Sequence, residues 1–339
     1  MEKEVKERTF FVKGDIMNNI DAYVILPNLR VKNVNTISSP LTWGFPSLTA
    51  IFGFVHALER KLRERYHLKF KDIAVTCHYF EAEAYRPLPY SDYSFSLTRN
   101  PPRTKKQIRN FEKGQPPSFV EEGRAHMEIT LVIQAAGEAW REQKELLETE
   151  IMEVASTLRL AGGSILSYSM PLVNDEFIVK CPDVLEDQEI MGRKILKKLL
   201  PGSILIDRKD LLKARTQELQ EENSDSTALD ALLEFSSLNY EYDAESEIAW
   251  TPRKKSGWLV PIPVGYQAIS KLYEPGYVRG ARDAVSPCCF VESIYSLGQW
   301  VSPHRFKQIS DIFWSYDEKS EAGLYRLVNS PENFIRNFN

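Results

Sequence analysis

The sequence predicts an α+β protein on three observations: several stretches alternate apolar and polar residues, two others repeat apolar residues at helical spacing, and the two kinds follow one another in a telling order. In the first alternating stretch Ile25, Pro27, Leu29 and Val31 lie two apart, with Asn28, Arg30 and Lys32 between them, so one face is apolar and the other can be wet. Leu48, Ile51, Phe52, Val55, Leu58 and Leu62 then recur at three- and four-residue steps, while Glu59, Arg60, Lys61 and Arg63 fall elsewhere on the wheel. Ile73, Val75, Cys77 and Tyr79 alternate with Ala74, Thr76, His78 and Phe80 in a second strand, and His126, Glu128, Thr130 and Val132 with Met127, Ile129, Leu131 and Ile133 in a third. Leu147, Ile151, Val154, Ala155 and Leu158 mark a second amphipathic helix, expected to end at Gly162 and Gly163 before Ile165 resumes an extended pattern. Strand, helix, strand, strand, helix, strand is the order of the ferredoxin-like fold, in which four antiparallel strands carry both helices on one face. The RNA-recognition module has this layout, and its uncovered face meets nucleotides.

The expected organisation is an N-terminal extension (1–21), a ferredoxin-like domain (22–170) and a mixed helical and extended C-terminal region (171–339). The extension mixes charges with Phe10, Phe11 and Val12. Within the domain, 85–123 is an excursion stiffened by Pro87, Pro89, Pro101, Pro102, Pro116 and Pro117, and it reads as a projecting arm whose half-length spans at most ~60 Å. In the C-terminal region Asp183 to Leu200 reads as a helix with acids early and Arg193, Lys194, Lys197 and Lys198 late, which suits the helix dipole without any ligand. Leu229, Leu232 and Leu233 suggest a short helix, and Trp258 to Tyr266, punctuated by prolines, an edge strand or packed extended segment. Ile294 to Trp300 and Ile309 to Trp314 read as two short helical segments flanking 302–305.

Composition sets bounds on function. A chain of 339 residues that is 43% hydrophobic and 27% charged has the make-up of a soluble globular protein with a substantial core, and no run of about 18 apolar residues is present to span a bilayer. Glu2, Lys3, Glu4, Lys6, Glu7 and Arg8 are not followed by an apolar stretch, so the start does not read as a secretory signal. Cys77, Cys181, Cys288 and Cys289 form no C-x-x-C pair, which suits the reducing cytoplasm and no structural zinc. None of the five histidines has metal-ligand spacing, and neither a metal nor a cofactor is expected.

The net charge of −4 looks wrong for a nucleic-acid binder until the charges are located. Residues 218–247 hold ten acids and no Lys or Arg, and without them the rest of the chain stands at +6. Residues 99–113 hold Arg99, Arg103, Lys105, Lys106, Arg109 and Lys113 against Glu112 alone. The chain is divided into a basic arm and an acidic segment that repels phosphate.

The loop from Asn33 to Ser47 is more than twice the usual strand-to-helix connection and is rich in donors, acceptors and aromatics. Asn33, Asn35, Ser38 and Ser39 are short polar side chains suited to base edges and the 2′-hydroxyl. Trp43 either stacks on a base, worth ~1 to 3 kcal/mol, or packs under the loop with Phe45. Ser47 is the expected helix N-cap. Arg159, just before the glycine pair, has both a phosphate-binding and a surface reading.

At Asn33 to Leu58 the chain resembles the subunit of the type I-F CRISPR surveillance complex, the Csy complex, that holds the 5′ handle of the guide RNA and belongs to the repeat-associated mysterious protein group. The resemblance continues in order through Leu97 to Pro101, Val120 to His126, Arg159 to Ile165, Gly257 to Tyr266, Ala281 to Asp283 and Ser302 to Arg305. It implies an RNA-binding subunit in which the arm is a thumb lying across the guide and touching the neighbouring backbone subunit, and in which the long loop lies at the handle. The matching segments add Arg124, His126 and Arg282 to the candidate RNA contacts. The implied partners are the guide RNA, the large subunit and the backbone subunit; whether target DNA touches the chain stays open. Two other readings remain: a repeat-RNA endonuclease using His78 or His126 as base, and a scaffold that touches protein only.

Overall fold

The computed structural model describes residues 20–99, 104–115, 121–137, 143–166, 177–237, 240–242, 250–252, 257–281, 283–329 and 331. Nearly all of the N-terminal extension therefore lies outside the described residues, including the cluster at Phe10. The architecture is a mixed α/β one built on a single eleven-stranded sheet. Its strands are β1 (Ala22–Asn35), β2 (Lys69–Ala82), β3 (Arg124–Ala136), β4 (Arg159–Leu160), β5 (Gly163–Ile165), β6 (Ile178–Lys180), β7 (Ser203–Asp207), β8 (Trp258–Ala268), β9 (Val291–Val301), β10 (Ser315–Tyr316) and β11 (Leu324–Val328). Their order is β4-β5-β1-β3-β2-β7-β9-β8-β11-β10, with β6 also paired to β1 and every neighbouring pair antiparallel. One sheet thus runs through both halves of the chain.

Helix α1 (Leu48–Tyr66) opens where the sequence places it: the Ser47 hydroxyl accepts from the Ala50 N–H at 3.3 Å, and Arg63 and Arg65 occupy the last turn. Its apolar stripe buries Leu48, Ile51, Phe54, Val55, Leu58 and Leu62, with Phe54 taking the fully buried place expected of Phe52, which lies at the edge of the core. The basic excursion carries a second helix, α2 (Lys105–Glu112). Helix α3 (Lys144–Thr157) joins α1 on the same face, where Leu147, Ile151 and Ala155 meet Val24, Leu29, Ile129 and Leu131. It ends at Thr157, five residues before Gly162, because Arg159 and Leu160 are already strand. Ala161 and Gly162, with φ of 48° and 76°, make the two-residue turn of the β4–β5 hairpin instead.

Two expectations about β1 and its sheet are overturned. Ile25, Pro27, Leu29 and Val31 do not share a face, because a bulge at Asn28 (φ 46°) shifts the register between Leu26 and Leu29. Ala22, Val24, Leu26, Leu29 and Val31 face the α1 and α3 side, while Tyr23 and Ile25 face the other. Nor is that other face left open along its length. Tyr23, Ile25, Ala74 and Val132 are covered by Met191, Ile195 and Leu196 of α4 (Leu185–Lys198) and by Phe306, Ile312 and Phe313. Among the described residues, the end of this face beyond the bulge presents exposed charged side chains, Arg30 and Lys32 among them.

In the C-terminal region Ile294 to Trp300 belongs to strand β9 and is not helical; pairing with β8 along its length, and with β7 from Gly298 to Val301, overrides the helical spacing. Ile309–Ile312 is a short 3-10 turn. Strand β8 is an inner strand where Gly265, Tyr266 and Gln267 pair with β11, but among the described residues its proline-bearing half pairs on one side only, which is where Pro261 and Pro263 cost no ladder bond. Helices α5 (Lys209–Glu222) and α6 (Ala228–Ser236) carry most of the described acids of the segment 218–247 and cover the β8–β9 pair through Leu211, Leu212, Leu232 and Phe235. Arg215 of α5 ties them together through Glu234 of α6 and also pairs with Glu218 of its own helix. The described part of the arm is two short ladders, Ala84–Tyr85 with Ser94–Phe95 and Thr98–Arg99 with Glu121–Glu122, together with α2.

Asp72 on β2 lines a groove of about 860 Å³ beside α1. Burial pushes its carboxyl up to about 6, against Lys71 and with help from Glu318. A folded-state pKa above the unfolded value means the folded chain binds that proton more tightly, so Asp72 weakens the fold above pH 6 and the deficit disappears as pH falls below ~4. Asp72→Asn is therefore expected to melt higher than the parent at about pH 8 and level with it at about pH 4, as read by thermal denaturation across pH.

Candidate nucleic-acid interface

The polar end of the sheet is assembled by register. Arg30 pairs with Glu128 and Asn35 with Arg124 across β1 and β3, Lys32 with Ser164 across β1 and β5, and Arg159 with Ser164 across β4 and β5. Because Leu29, Val31, Val34, Ala125, Met127 and Leu160 turn into the α1 and α3 core, Arg30, Lys32, Arg124, His126, Arg159 and Ser164 share the opposite face. Gly163 makes this approach feasible, since a Cβ there would lie 2.7 Å from the Lys32 carbonyl oxygen.

Asn33 is the knot of the cluster. It sits in the left-handed region with φ of 59°, its N–H donates to His126 Nδ1 at 3.3 Å, and its carbonyl accepts from Arg124 Nη1 at 3.1 Å. Three residues singled out in the sequence, Asn33, Arg124 and His126, are thereby brought together. Arg124 also pairs with Glu122, and Arg30 Nε lies 3.1 Å from Glu128. Arg159 reaches Ser164 Oγ at 2.7 Å; neither it nor Lys32 has an acidic partner among the described residues. Arg30 and Lys32 were legible as wet-face positions of β1, but their place in the cluster follows from cross-strand register, which one strand's sequence does not carry.

The long loop folds into a hairpin, Ile37–Ser39 against Thr42–Trp43. Its short polar side chains are bonded within it: Asn35 donates to and accepts from the Ile37 backbone, and the Ser38 and Ser39 hydroxyls reach Thr42 Oγ1 at 2.8 and 2.6 Å. Trp43 stacks on Phe95 of the arm, ring centroids 3.4 Å apart, so one face of the indole is occupied by the chain's own aromatic. Its Nε1 and the Thr36 hydroxyl are buried without a hydrogen-bond partner among the described residues, and both adjoin the space beside Gly123, where a Cβ would collide with Thr36 Oγ1 and lie 2.8 Å from Trp43 Nε1. Gly123→Ala is expected to cost about 1–3 kcal/mol by overpacking this joint, read as a lower urea midpoint.

Other candidates lie apart. Lys105 and Lys106 are exposed on α2 of the arm. Only the backbone of Arg99 is described, and Arg103 and Arg282 lie outside the described residues. His78 is held at both ring nitrogens, by the Pro201 carbonyl at 2.6 Å and Thr130 Oγ1 at 2.7 Å. Burial pushes the neighbouring Cys77 thiol up to about 11, which leaves it a poor nucleophile. Among the described residues no group of three or more His, Cys, Asp or Glu is placed to hold a metal ion, and no helix is long and apolar enough to cross a membrane.

The family model described as CRISPR-associated protein (Cas_Csy2) matches residues 24–327. The chain belongs to the Csy2 family. It is 39% identical over 321 residues to "CRISPR-associated protein Csy2" of Pseudomonas aeruginosa (strain UCBPP-PA14), an alignment covering 90% of this chain and 94% of that relative. The Csy2 match runs from β1 to β11 and so takes in the whole sheet, the arm and the acidic helices. The resemblance seen in the separate sequence segments is borne out by a match that is continuous across them.

Proposed function

We propose that the chain is a non-catalytic RNA-binding subunit of a type I-F CRISPR effector complex, working in the cytoplasm, which grips the 5′ handle of the guide RNA and pairs with the large subunit. Its N-terminal half is read as a ferredoxin-like domain, supported by the strand order β5-β1-β3-β2 and by α1 and α3 lying together on one face. The observation that carries the RNA reading is the sheet end where Arg30, Lys32, Arg124 and Arg159 surround Asn33 and His126, while the acids of α5 and α6 lie over β8 and β9. Cations hold phosphates, and the side chain of Asn33 offers an exposed donor and acceptor to a base or ribose. The basic arm, with Lys105 and Lys106, supplies further phosphate contacts in this reading. Specificity toward invading DNA then comes from guide pairing, and the protein supplies geometry.

The test is a gel shift of the purified chain with repeat RNA in chelator, across salt. Four phosphate contacts from the sheet end give a log–log slope near −0.7 × 4, about −3, with intact RNA. Cleaved product in chelator supports an endonuclease instead, and no shift at any salt supports a protein-only scaffold. Reversing Lys105 and Lys106 to Glu separates the arm's share from that of the sheet.

A further inference from the structure

A cavity of about 630 Å³ lies on the opposite side of β2 from the cationic cluster, walled by the loop carrying Trp43 and Phe45, by Phe80, and by β8 and β9. Among the described residues that line it there is no Asp, Glu, Lys or Arg. A nucleotide brings a phosphate with every base, and that charge finds no counterpart here. The walls are preorganised: Phe45 meets Trp300 edge-on at 4.9 Å and Phe80 at 5.9 Å, and Pro46, Pro261 and Pro263 stiffen the rim. Trp258 stands at the mouth, two-thirds exposed and 6.5 Å from Trp300. An exposed Trp beside an uncharged aromatic hollow has the composition of an interface anchor point.

The flanking edge narrows the choice of occupant. Among the described residues, strand β8 from Trp258 to Val264 pairs only with β9, yet Pro261 and Pro263 remove two backbone donors, so this edge is a poor template for adding a strand. A partner must enter side chain first. We infer that this cavity receives an apolar side chain, aromatic or branched aliphatic, presented by a neighbouring protein subunit of the complex. The inference rests on membership of an assembly and does not depend on the RNA-binding reading.

The experiment co-expresses the tagged full chain with guide RNA and the other protein subunits of its complex, and compares parent with Trp258→Ala and Trp258→Phe. The exposed position of Trp258 lets the variants keep the parent's melting transition. The expected result is at least about tenfold weaker capture of one protein subunit by Trp258→Ala, with bound RNA unchanged and capture restored by Trp258→Phe. Full capture of every subunit by Trp258→Ala overturns the proposal. So does loss of RNA, alone or together with protein, because the cavity is assigned to protein. Hydroxyl-radical oxidation of the parent gives a readout that needs no variant: Trp258 is protected in the assembled complex relative to the free chain, and equal oxidation in both overturns the proposal. A parent chain that binds no RNA yet protects Trp258 would instead count against the RNA reading alone.

Discussion

Replacing Arg30, Lys32 and Arg159 together with alanine is expected to weaken binding of handle-containing RNA about a hundredfold and to flatten its salt dependence by about 2 log–log units. The size follows from ~1 kcal/mol for each lost charged contact and 0.7 of a counterion for each phosphate released. All three side chains are exposed, so the fold should survive. Arg30 gives up a surface pair with Glu128, worth at most ~1 kcal/mol, and Lys32 has no ion pair to lose among the described residues. A matched triple substitution away from the sheet end, Lys209 and Lys213 of α5 and Arg193 of α4 to alanine, should leave affinity and slope close to the parent's. Titration by fluorescence anisotropy at several salt concentrations reads both quantities, and the flattened slope distinguishes lost phosphate contacts from general damage.

Trp314→Ala is expected to be the most destabilising single truncation in the molecule, at about 3–5 kcal/mol. Trp314 is fully buried, its backbone exchanges hydrogen bonds with Ile73 of β2, and its indole N–H donates to the Leu205 carbonyl of β7 at 2.8 Å. It therefore fastens the C-terminal chain to the joint at which the sheet passes from its first half to its second. Truncation leaves a cavity among large side chains and an unpaired buried carbonyl. Against a total stability of roughly 5–15 kcal/mol such a loss removes a large share. Trp314→Phe keeps most of the packing and loses the hydrogen bond, so it should cost less, about 1–3 kcal/mol. Urea denaturation of both variants gives the ranking directly.

How far the fold was legible depends on whether a feature is set by nearest neighbours in sequence or by register across the sheet. The α1 stripe and its Ser47 cap follow from local spacing and side-chain chemistry, and both stand where the sequence places them. The facing of Ile25 was lost at Asn28, because one left-handed residue inverts every position upstream of it and period-two counting has no mark for that. Strand β9 was misread because Ile294 to Trp300 fits a helical window equally well; its two strand neighbours decide the matter, and they come from distant segments. The covering of the first part of the sheet by α4 has the same origin, since nothing in Met191, Ile195 or Leu196 names the surface they meet. At the site, Asn33, Arg124 and His126 were found as residue types in the right segments, whereas their convergence rests on a bulge between Val31 and Val34. The polar loop was legible as unusual, but the partners of Ser38, Ser39 and Trp43 prove to lie within the chain itself.

The most direct measurement is ultraviolet crosslinking of guide RNA to the chain in its assembled complex, with the crosslinked peptides identified by mass spectrometry. The account predicts crosslinks from handle nucleotides to residues 30–35, 124–126 and 159–164. Crosslinks confined to the α5 and α6 helices or to the α4-covered part of the sheet, with none at these positions, would contradict it.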